Sequence, residues 1–454
     1  MIHKYKMNDL NIVLDINSGS IHCVDDLVYD ILDFYEPNMS YKEVVRLVNN
    51  NDLEELELRE AFEELEQLVQ DDILFSKDVF SNLVPEVNTR NPVVKALCLH
   101  IAHDCNLKCK YCFAEEGEYH GKRSLMSVEV GKNAIDFLIH NSGSRKNLEI
   151  DFFGGEPLMN FSVVKEIVEY GRSIEKDYNK NFRFTMTTNG LLLSEGVEAY
   201  INEHMHNAVL SIDGRKEVND KMRVKSGDRG SYDEIVPKFQ RMAENRNQMD
   251  YYVRGTFTRN NLDFSKDVLH LADLGFKQIS VEPVVTDENE PYAIQQEDLP
   301  IIFEEYEKLA IEMINRKKNN SADNFNFFHF MIDLTGGPCA YKRLVGCGSG
   351  TEYLAVTPEG DLYPCHQFVG QDEFRMGSVF EGVTDFGIRK NFENINVYSK
   401  PICKSCWAKF YCSGGCAANS NNIHNDLITP YDIGCEMQKK RTECSIMMKI
   451  AEII

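Results

Sequence analysis

The chain has 454 residues, enough for two to three units with sizeable cores. Its 43% hydrophobic, 27% charged and 10% aromatic content is that of an ordinary folded protein and excludes extensive disorder. A formal charge of −23 excludes a generally basic surface for nucleic acid or an anionic membrane, and makes a neutral or basic peptide the better partner.

The chain opens "MIHKYKMNDLNIVLDI", with neither an apolar signal core nor a small-residue cleavage site, and no later apolar run reaches about 18 residues. A cytoplasmic location is therefore expected. Residues 1–75 read as a small separate unit. Short alternating segments, "IHKYKM", "NIVLDI" and "SIHCV", are broken by "ND" and "NSGS" as in an antiparallel sheet. Three helices should follow in "VDDLVYDILDFYE", "SYKEVVRLVNN" and "DLEELELREAFEELEQLVQDDILF", which place apolar residues three and four apart. On pattern alone this is an α+β packing or dimerisation unit. Residues 76–93 lack periodicity, contain two prolines and read as a linker.

From 94 to 320 strands alternate with helices. "VKALCLHIA", "LEIDFFGG", "NFRFTMTTNG", "HNAVLSIDG", "MDYYVRGTFT" and "FKQISVEPV" are short apolar runs, with helical spans such as "SVEVGKNAIDFLIHNS" and "NFSVVKEIVEYGRSIEKDY" between them. This predicts an α/β fold with a parallel sheet, open or closed into a full or partial barrel, and ligands at the carboxyl ends of its strands. Residues 321–454 are short on helix pattern and dense in Cys and Gly, so metal staples should replace much of a core there.

Of the 14 cysteines, nine lie between Cys339 and Cys444. That clustering, without a secretory signal, favours metal or cluster ligation over disulfides. "HDCNLKCKYCFA" places Cys105, Cys109 and Cys112 on one loop directly after the first strand. Three thiolates leave one iron of a cubane cluster open for a reactive ligand, whereas a structural zinc site would need a distant fourth ligand. Here the sequence resembles the radical S-adenosylmethionine (SAM) enzymes, whose signature is Cys-x3-Cys-x2-Cys with an aromatic close by, in this chain Tyr111 and Phe113. The resemblance implies that SAM chelates the open iron. It also assigns Gly154, Gly155, Glu156 and Pro157 of "GGEP" to the SAM amino group. "TTNG", with Thr188 and Asn189, and "SIDG", with Ser211 and Asp213, go to its ribose and carboxylate. Two glycines would let the backbone approach the ligand, Glu156 could pair with the ammonium, and Arg223 suits the carboxylate as a fork-shaped donor.

Cys347, Gly360 and Cys365, then Cys403, Cys406, Cys412 and Cys416 at spacings x2, x5 and x3, then Cys435, resemble the SPASM domain of peptide-modifying radical SAM enzymes. A zinc ribbon over Cys403 to Cys416 is the simpler alternative. The resemblance implies one auxiliary [4Fe-4S] cluster on Cys403, Cys406, Cys412 and Cys435. A second would sit on Cys347, Cys365 and Cys416, with Cys339 as fourth ligand or an iron left open to a substrate thiolate. Cys23, Cys98 and Cys444 match no motif and read as buried or free thiols.

The order of strands and helices in residues 1–75 resembles the winged-helix-like RiPP recognition element, in which a leader peptide adds as a strand to the sheet edge. The whole arrangement resembles the maturases of SCIFF peptides, which carry six cysteines in forty-five residues. That implies a partial (β/α)6 radical SAM barrel followed by a SPASM domain, three [4Fe-4S] clusters, SAM, a Cys-rich precursor peptide and an electron donor such as flavodoxin or ferredoxin. The implied activity is intramolecular thioether formation between a cysteine sulfur and a carbon of an acceptor residue, threonine. His366 and Asp213 are candidate bases by position. Two alternatives stand: a formylglycine-forming enzyme like the anaerobic sulfatase maturases, and a non-catalytic cluster-bearing electron carrier.

Overall fold

A computed structural model describes residues 1–48, 55–89, 92–319, 322–334 and 340–453. At the amino end, β1 (Ile2–Met7), β2 (Leu10–Asp15) and β3 (Ile21–Val24) form an antiparallel sheet in that order. Asn8 and Asp9 both adopt positive φ, the tight two-residue turn that matches strand twist. Helices Asp26–Ile31, Tyr41–Val48 and Glu55–Gln70 follow. The first is shorter than its periodicity suggests. Tyr35 turns into the core, and Pro37 disfavours helical backbone at Glu36.

This sheet is not a separate unit. Along β2, Val13 packs with the unit's own helices through Val28, Val44 and Leu65, while Ile12 and Leu14 join the main core with Met437, Ile446 and Met447. The His3 ring stacks on Trp407 with centroids 3.7 Å apart and planes 5° from parallel, and Tyr5 Oη donates to the Glu443 carbonyl at 2.9 Å. The expected linker is likewise structured, with a 3-10 turn Phe80–Leu83 and a helix Val84–Thr89. Asp78 is tied down by Tyr398 Oη at 2.6 Å and Lys409 Nζ at 2.9 Å.

The six apolar runs become the parallel strands β4 (Ala96–His103), β7 (Asn147–Gly154), β8 (Asn181–Thr188), β9 (Asn207–Ser211), β11 (Tyr251–Phe257) and β12 (Gln278–Pro283). They pair in that order. Helices Val128–Asn141, Phe161–Ile174, Glu195–His204, Tyr232–Asn245, Phe264–Asp273 and Leu299–Lys318 connect and cover them. Every residue of β4 is buried, as suits a central parallel strand. Along β7 and β8 alternate residues are buried, so one face packs against helices and the other lines half-open space.

The sheet extends beyond the expected six. β13 (Asn326–Phe327) adds parallel to β12, and β14 (Tyr353–Val356) adds parallel to β4. β15 (Asp361–Tyr363), β16 (Gly377–Ser378) and β17 (Gly382–Val383) continue antiparallel. Two-residue strands β5 (Lys108–Cys109) and β10 (Arg223–Val224) pair with each other, and β6 (Ser124–Leu125) caps β4. The carboxyl region holds more helix than its pattern suggests, above all Asp432–Ala451. Polar Arg441, Thr442 and Ser445 occupy buried positions there, which blurs the apolar stripe. No described helix is long and apolar enough to cross a membrane.

Candidate active site

The cysteine loop leaves the carboxyl end of β4, where a register shift between His100 and Ala102 redirects the strand. The "GGEP" segment at the end of β7 zips onto it. Gly155 N donates to Ala102 O at 2.8 Å and Glu156 N to Asp104 O at 2.9 Å. A Cβ at Gly154, whose φ is +118°, or at Gly155 would clash with the carbonyls of Ala102 and Asp104. The two glycines therefore serve the approach of one backbone to another, where the sequence suggested approach to a ligand.

Cys105, Cys109 and Cys112 lie close enough to disfavour one another as thiolates. Burial pushes the Cys105 thiol up to about 12 and Cys109 up to about 11, the latter opposed by Arg223. Both are thus protonated at neutral pH until a metal displaces the protons. Asn189 Nδ2 reaches Cys105 Sγ at 3.7 Å and Asn106 Oδ1 at 2.7 Å, fixing the start of the loop against the end of β8.

Cys109 sits in β5, directly opposite Arg223 in β10. Arg223 is 9% exposed; its Nη1 donates to Tyr111 Oη at 2.9 Å and stands 3.8 Å from Asp213 Oδ1. Tyr111 Oη in turn donates to both Asp213 oxygens, at 2.8 and 2.7 Å, and Thr256 N donates to Oδ1 at 3.1 Å. Burial pushes the Asp213 carboxyl up to about 6 against the pull of Arg223. Asp213 thus holds Tyr111 and Arg223 in place, and its occupied oxygens make it a poor candidate base. Among the described residues the buried Nε of Arg223 has no partner. A buried guanidinium N–H without a described partner, on an arginine opposite Cys109, suits a carboxylate.

Glu156 is fully buried and already occupied. It accepts from Leu158 N at 3.0 Å, Thr188 Oγ1 at 2.9 Å and Asn189 N at 2.8 Å, joining the ends of β7 and β8. Pro157 opens the 3-10 turn Pro157–Asn160 behind it, and Ser211 closes β9 in register with Arg254. Phe113, 47% exposed, carries the loop toward the second cysteine region, since its ring lies 5.8 Å from His366 beside Cys365. His366 also packs on Phe153 at 5.1 Å and meets Tyr353 Oη through Nδ1 at 3.1 Å. Burial and the Arg254 charge hold this imidazole down at about 4, so it is neutral at physiological pH.

Two residues of this region escape a sequence reading. His100 is wholly buried on β4 with Nδ1 3.0 Å from His103 Nε2, where a run of apolar neighbours disguises it as core. Lys400 is buried among the carboxyl-terminal cysteines, although lysine in "YSKPICK" reads as surface.

The carboxyl-terminal thiols fall into two groups. Cys347, Cys365 and Cys416 interact electrostatically with one another, and so do Cys403, Cys406, Cys412 and Cys435. Burial raises Cys365 and Cys435 to about 12 and Cys403 to about 11. Cys339 lies outside the described residues. Cys98 and Cys444 are buried and Cys23 is exposed on β3.

A family model for a 4Fe-4S single cluster domain matches residues 94–237, and the SPASM model, an iron-sulfur cluster-binding domain, matches 347–407. The chain is 24% identical over 366 residues to the cysteine-type anaerobic sulfatase-maturating enzyme of Clostridium novyi, covering 76% of this chain and 92% of that one. It is 22% identical over 439 residues to the radical SAM cyclopropyl synthase TigE of Paramaledivibacter caminithermalis, covering 93% and 89%. Among solved structures, native anSMEcpe with bound AdoMet superposes with a TM-score of 0.66 at 20% identity, over 80% of this chain and 100% of that one. Streptococcus suis SuiB bound to precursor peptide SuiA superposes at 0.56 and 15%, over 95% and 98%.

The chain is thus similar to radical SAM proteins with a SPASM domain, among them the anaerobic sulfatase-maturating enzymes and radical SAM enzymes that mature peptides. Both family models describe iron-sulfur cluster-binding domains, which favours 4Fe-4S clusters over the zinc readings of both cysteine regions, and AdoMet is the molecule bound in the similar anSMEcpe structure. The residues of the radical SAM site fit that pair, with three thiols for the cluster and the unpartnered Arg223 Nε for a carboxylate.

Proposed function

We propose that this protein is a radical SAM maturase that joins cysteine sulfurs to carbons of acceptor residues, threonines, in a ribosomally made precursor peptide of the SCIFF type. The observation that carries the reading is the amino-terminal sheet. β1 and β3 each pair with β2 alone among the described strands, but side chains of β1 are engaged by the helix Asp432–Ala451 and by Trp407, which leaves β3 the freer edge. An open strand edge is what a leader peptide needs, because added strands bind through main-chain hydrogen bonds. The match to SuiB covers 95% of this chain, leaving about 23 residues unmatched, so it takes in most of residues 1–75. On this reading residues 1–75 capture the leader, 76–93 join the parts, 94–320 form a partial (β/α)6 radical SAM barrel and 321–454 a SPASM domain with two auxiliary clusters. Flavodoxin or ferredoxin would deliver the electron.

Cys105, Cys109 and Cys112 would hold the cluster that, with SAM, would supply the hydrogen-abstracting radical, and clusters at the auxiliary sites would supply an electron acceptor. The peptide gives up one hydrogen atom from the acceptor carbon and, as sulfur bonds to that carbon, the thiol proton and one electron. Each crosslink therefore removes two hydrogens. Arg223, steadied by Tyr111 and Asp213, presents Nε to the SAM carboxylate. Phe113 and Phe153 both meet the His366 ring, which links the loop of Cys112 to the segment of Cys365. Anaerobic reconstitution with SAM and a Cys-rich peptide tests this: 5'-deoxyadenosine and a peptide lighter by two hydrogens per thioether are expected. The likeness to sulfatase-maturating enzymes supports a second reading, formylglycine formation, which would leave an aldehyde and no sulfur–carbon bond.

A further inference from the structure

Lys400 is 1% exposed, among the largest side chains wholly withdrawn from solvent. An ammonium in such a place is costly unless anions compensate it. Nζ donates to the Gly414 carbonyl at 2.8 Å, which engages one of its three N–H bonds. Lys409, nearly as buried at 3%, shows the ordinary solution, an ion pair with Asp78 at 2.9 Å. No described carboxylate pairs with Lys400. Its electrostatic neighbours are cysteines, with Cys403, Cys412 and Cys435 from one thiol group and Cys416 from the other.

We propose that Lys400 is the shared counter-charge of the two auxiliary iron-sulfur sites and raises their reduction potentials. A cluster held by thiolates is an anion that gains a further negative charge when reduced. A fixed positive charge in a poorly polarisable interior stabilises the reduced form more than the oxidised one. Lys400 thus makes each auxiliary site a readier electron acceptor, the property that a bond-forming oxidation requires. The inference rests on cluster ligation by both thiol groups and is independent of which bond the enzyme forms.

A purely structural role would be to hold the Gly414–Gly415 turn, where φ is +88° and +71°, so that Cys412 and Cys416 are aimed. The two roles separate in the full-length, anaerobically reconstituted protein carrying Ala at Cys105, Cys109 and Cys112, in which only auxiliary clusters report. Redox titration followed by electron paramagnetic resonance, without peptide, compares Lys400→Met with Lys400→Arg. The Met variant should shift the reduction equilibrium of at least one auxiliary cluster tenfold or more toward the oxidised form, about 59 mV for a one-electron couple. The Arg variant should stay near the parent. Unchanged midpoints in the Met variant overturn the proposal. Should the Met variant lose auxiliary iron, retention by the Arg variant supports the charge, whereas loss from both shows a packing role and overturns it. Absence of auxiliary iron from the parent protein would overturn the ligation reading itself, and the inference with it.

Discussion

Arg223 faces Cys109 across the two-residue ladder of β5 and β10, so a guanidinium and a thiol of the three-cysteine loop are fixed in register by backbone hydrogen bonds. Each supports the other: the thiol's region holds the positive charge in a buried place, and Arg223 opposes the rise that burial imposes on Cys109. With Nη1 committed to Tyr111 and Nε free, one edge of the fork is reserved.

Replacing Arg223 by Gln should weaken SAM binding while leaving iron at Cys105, Cys109 and Cys112. A hydrogen bond to a charged group is worth about 1.5–3 kcal/mol, which corresponds to roughly ten- to hundredfold in affinity. Equilibrium binding of SAM to the reconstituted variant measures this. An unchanged dissociation constant would remove Arg223 from the SAM site.

The protein with Ala at Cys105, Cys109 and Cys112 should retain its auxiliary iron and lose 5'-deoxyadenosine production altogether. The thiol groups are separate, so their occupancy should be independent. Iron analysis together with product chromatography checks both halves, and persistent SAM cleavage would refute the assignment.

The open edge of β3 can be blocked without deleting the unit. Deletion of residues 1–75 would remove Tyr5, Met7, Ile12 and Leu14 from the core cluster they share with Met437, Ile446 and Met447, and so harm the whole fold. Asp15 N bonds to Ser20 O at the hairpin end, and antiparallel bonding alternates along the ladder. Ile21 and Cys23 therefore turn their N–H groups to the open side. Cys23→Pro removes one outward donor from an edge strand that tolerates proline. It should weaken leader binding about tenfold or more, since one bond is lost and the ring obstructs the added strand. Fluorescence anisotropy with labelled leader measures the loss, and unaltered SAM cleavage without peptide shows that the fold persists. For a basic leader, binding should also weaken with added salt.

Asp151 on β7 carries a pH signature. Burial, reinforced by the nearby Glu149 charge, pushes its carboxyl up to about 6 from 3.8. The folded state then holds more protons than the unfolded one between these values, so stability falls as pH rises through that window. The penalty is absent below about 3.8 and complete above about 6, amounting to no more than about 3 kcal/mol. Asp151→Asn should raise the thermal midpoint at pH 7 and flatten the stability profile between pH 4 and 6. Calorimetry across that range would expose a wrong sign at once.

Much of the catalytic sheet is legible in the sequence because each strand is a short apolar run with a helix of clear periodicity after it, and motifs follow the strand ends. The carboxyl helix Asp432–Ala451 is not, since Arg441 and Thr442 hold buried positions through contacts made elsewhere, Arg441 with Tyr306 Oη at 2.8 Å. Glu156 is visible as a motif residue, but its three donors come from the turn after β7 and from the end of β8, and only folding assembles them.

The sequence alone determined what local spacing can determine: three thiols on one strand-end loop, seven more at intervals that resemble a SPASM domain, and an alternating chain that must lay its motifs along one sheet edge. The tertiary structure decided what depends on distant partners. It set Arg223 against Cys109, seated the amino-terminal sheet on Trp407 and Glu443 so that β3 stays open, and placed Lys400 between two groups of thiols. Strand register, shared cores and buried charges are settled by contacts between segments far apart in the chain, and no local propensity encodes them.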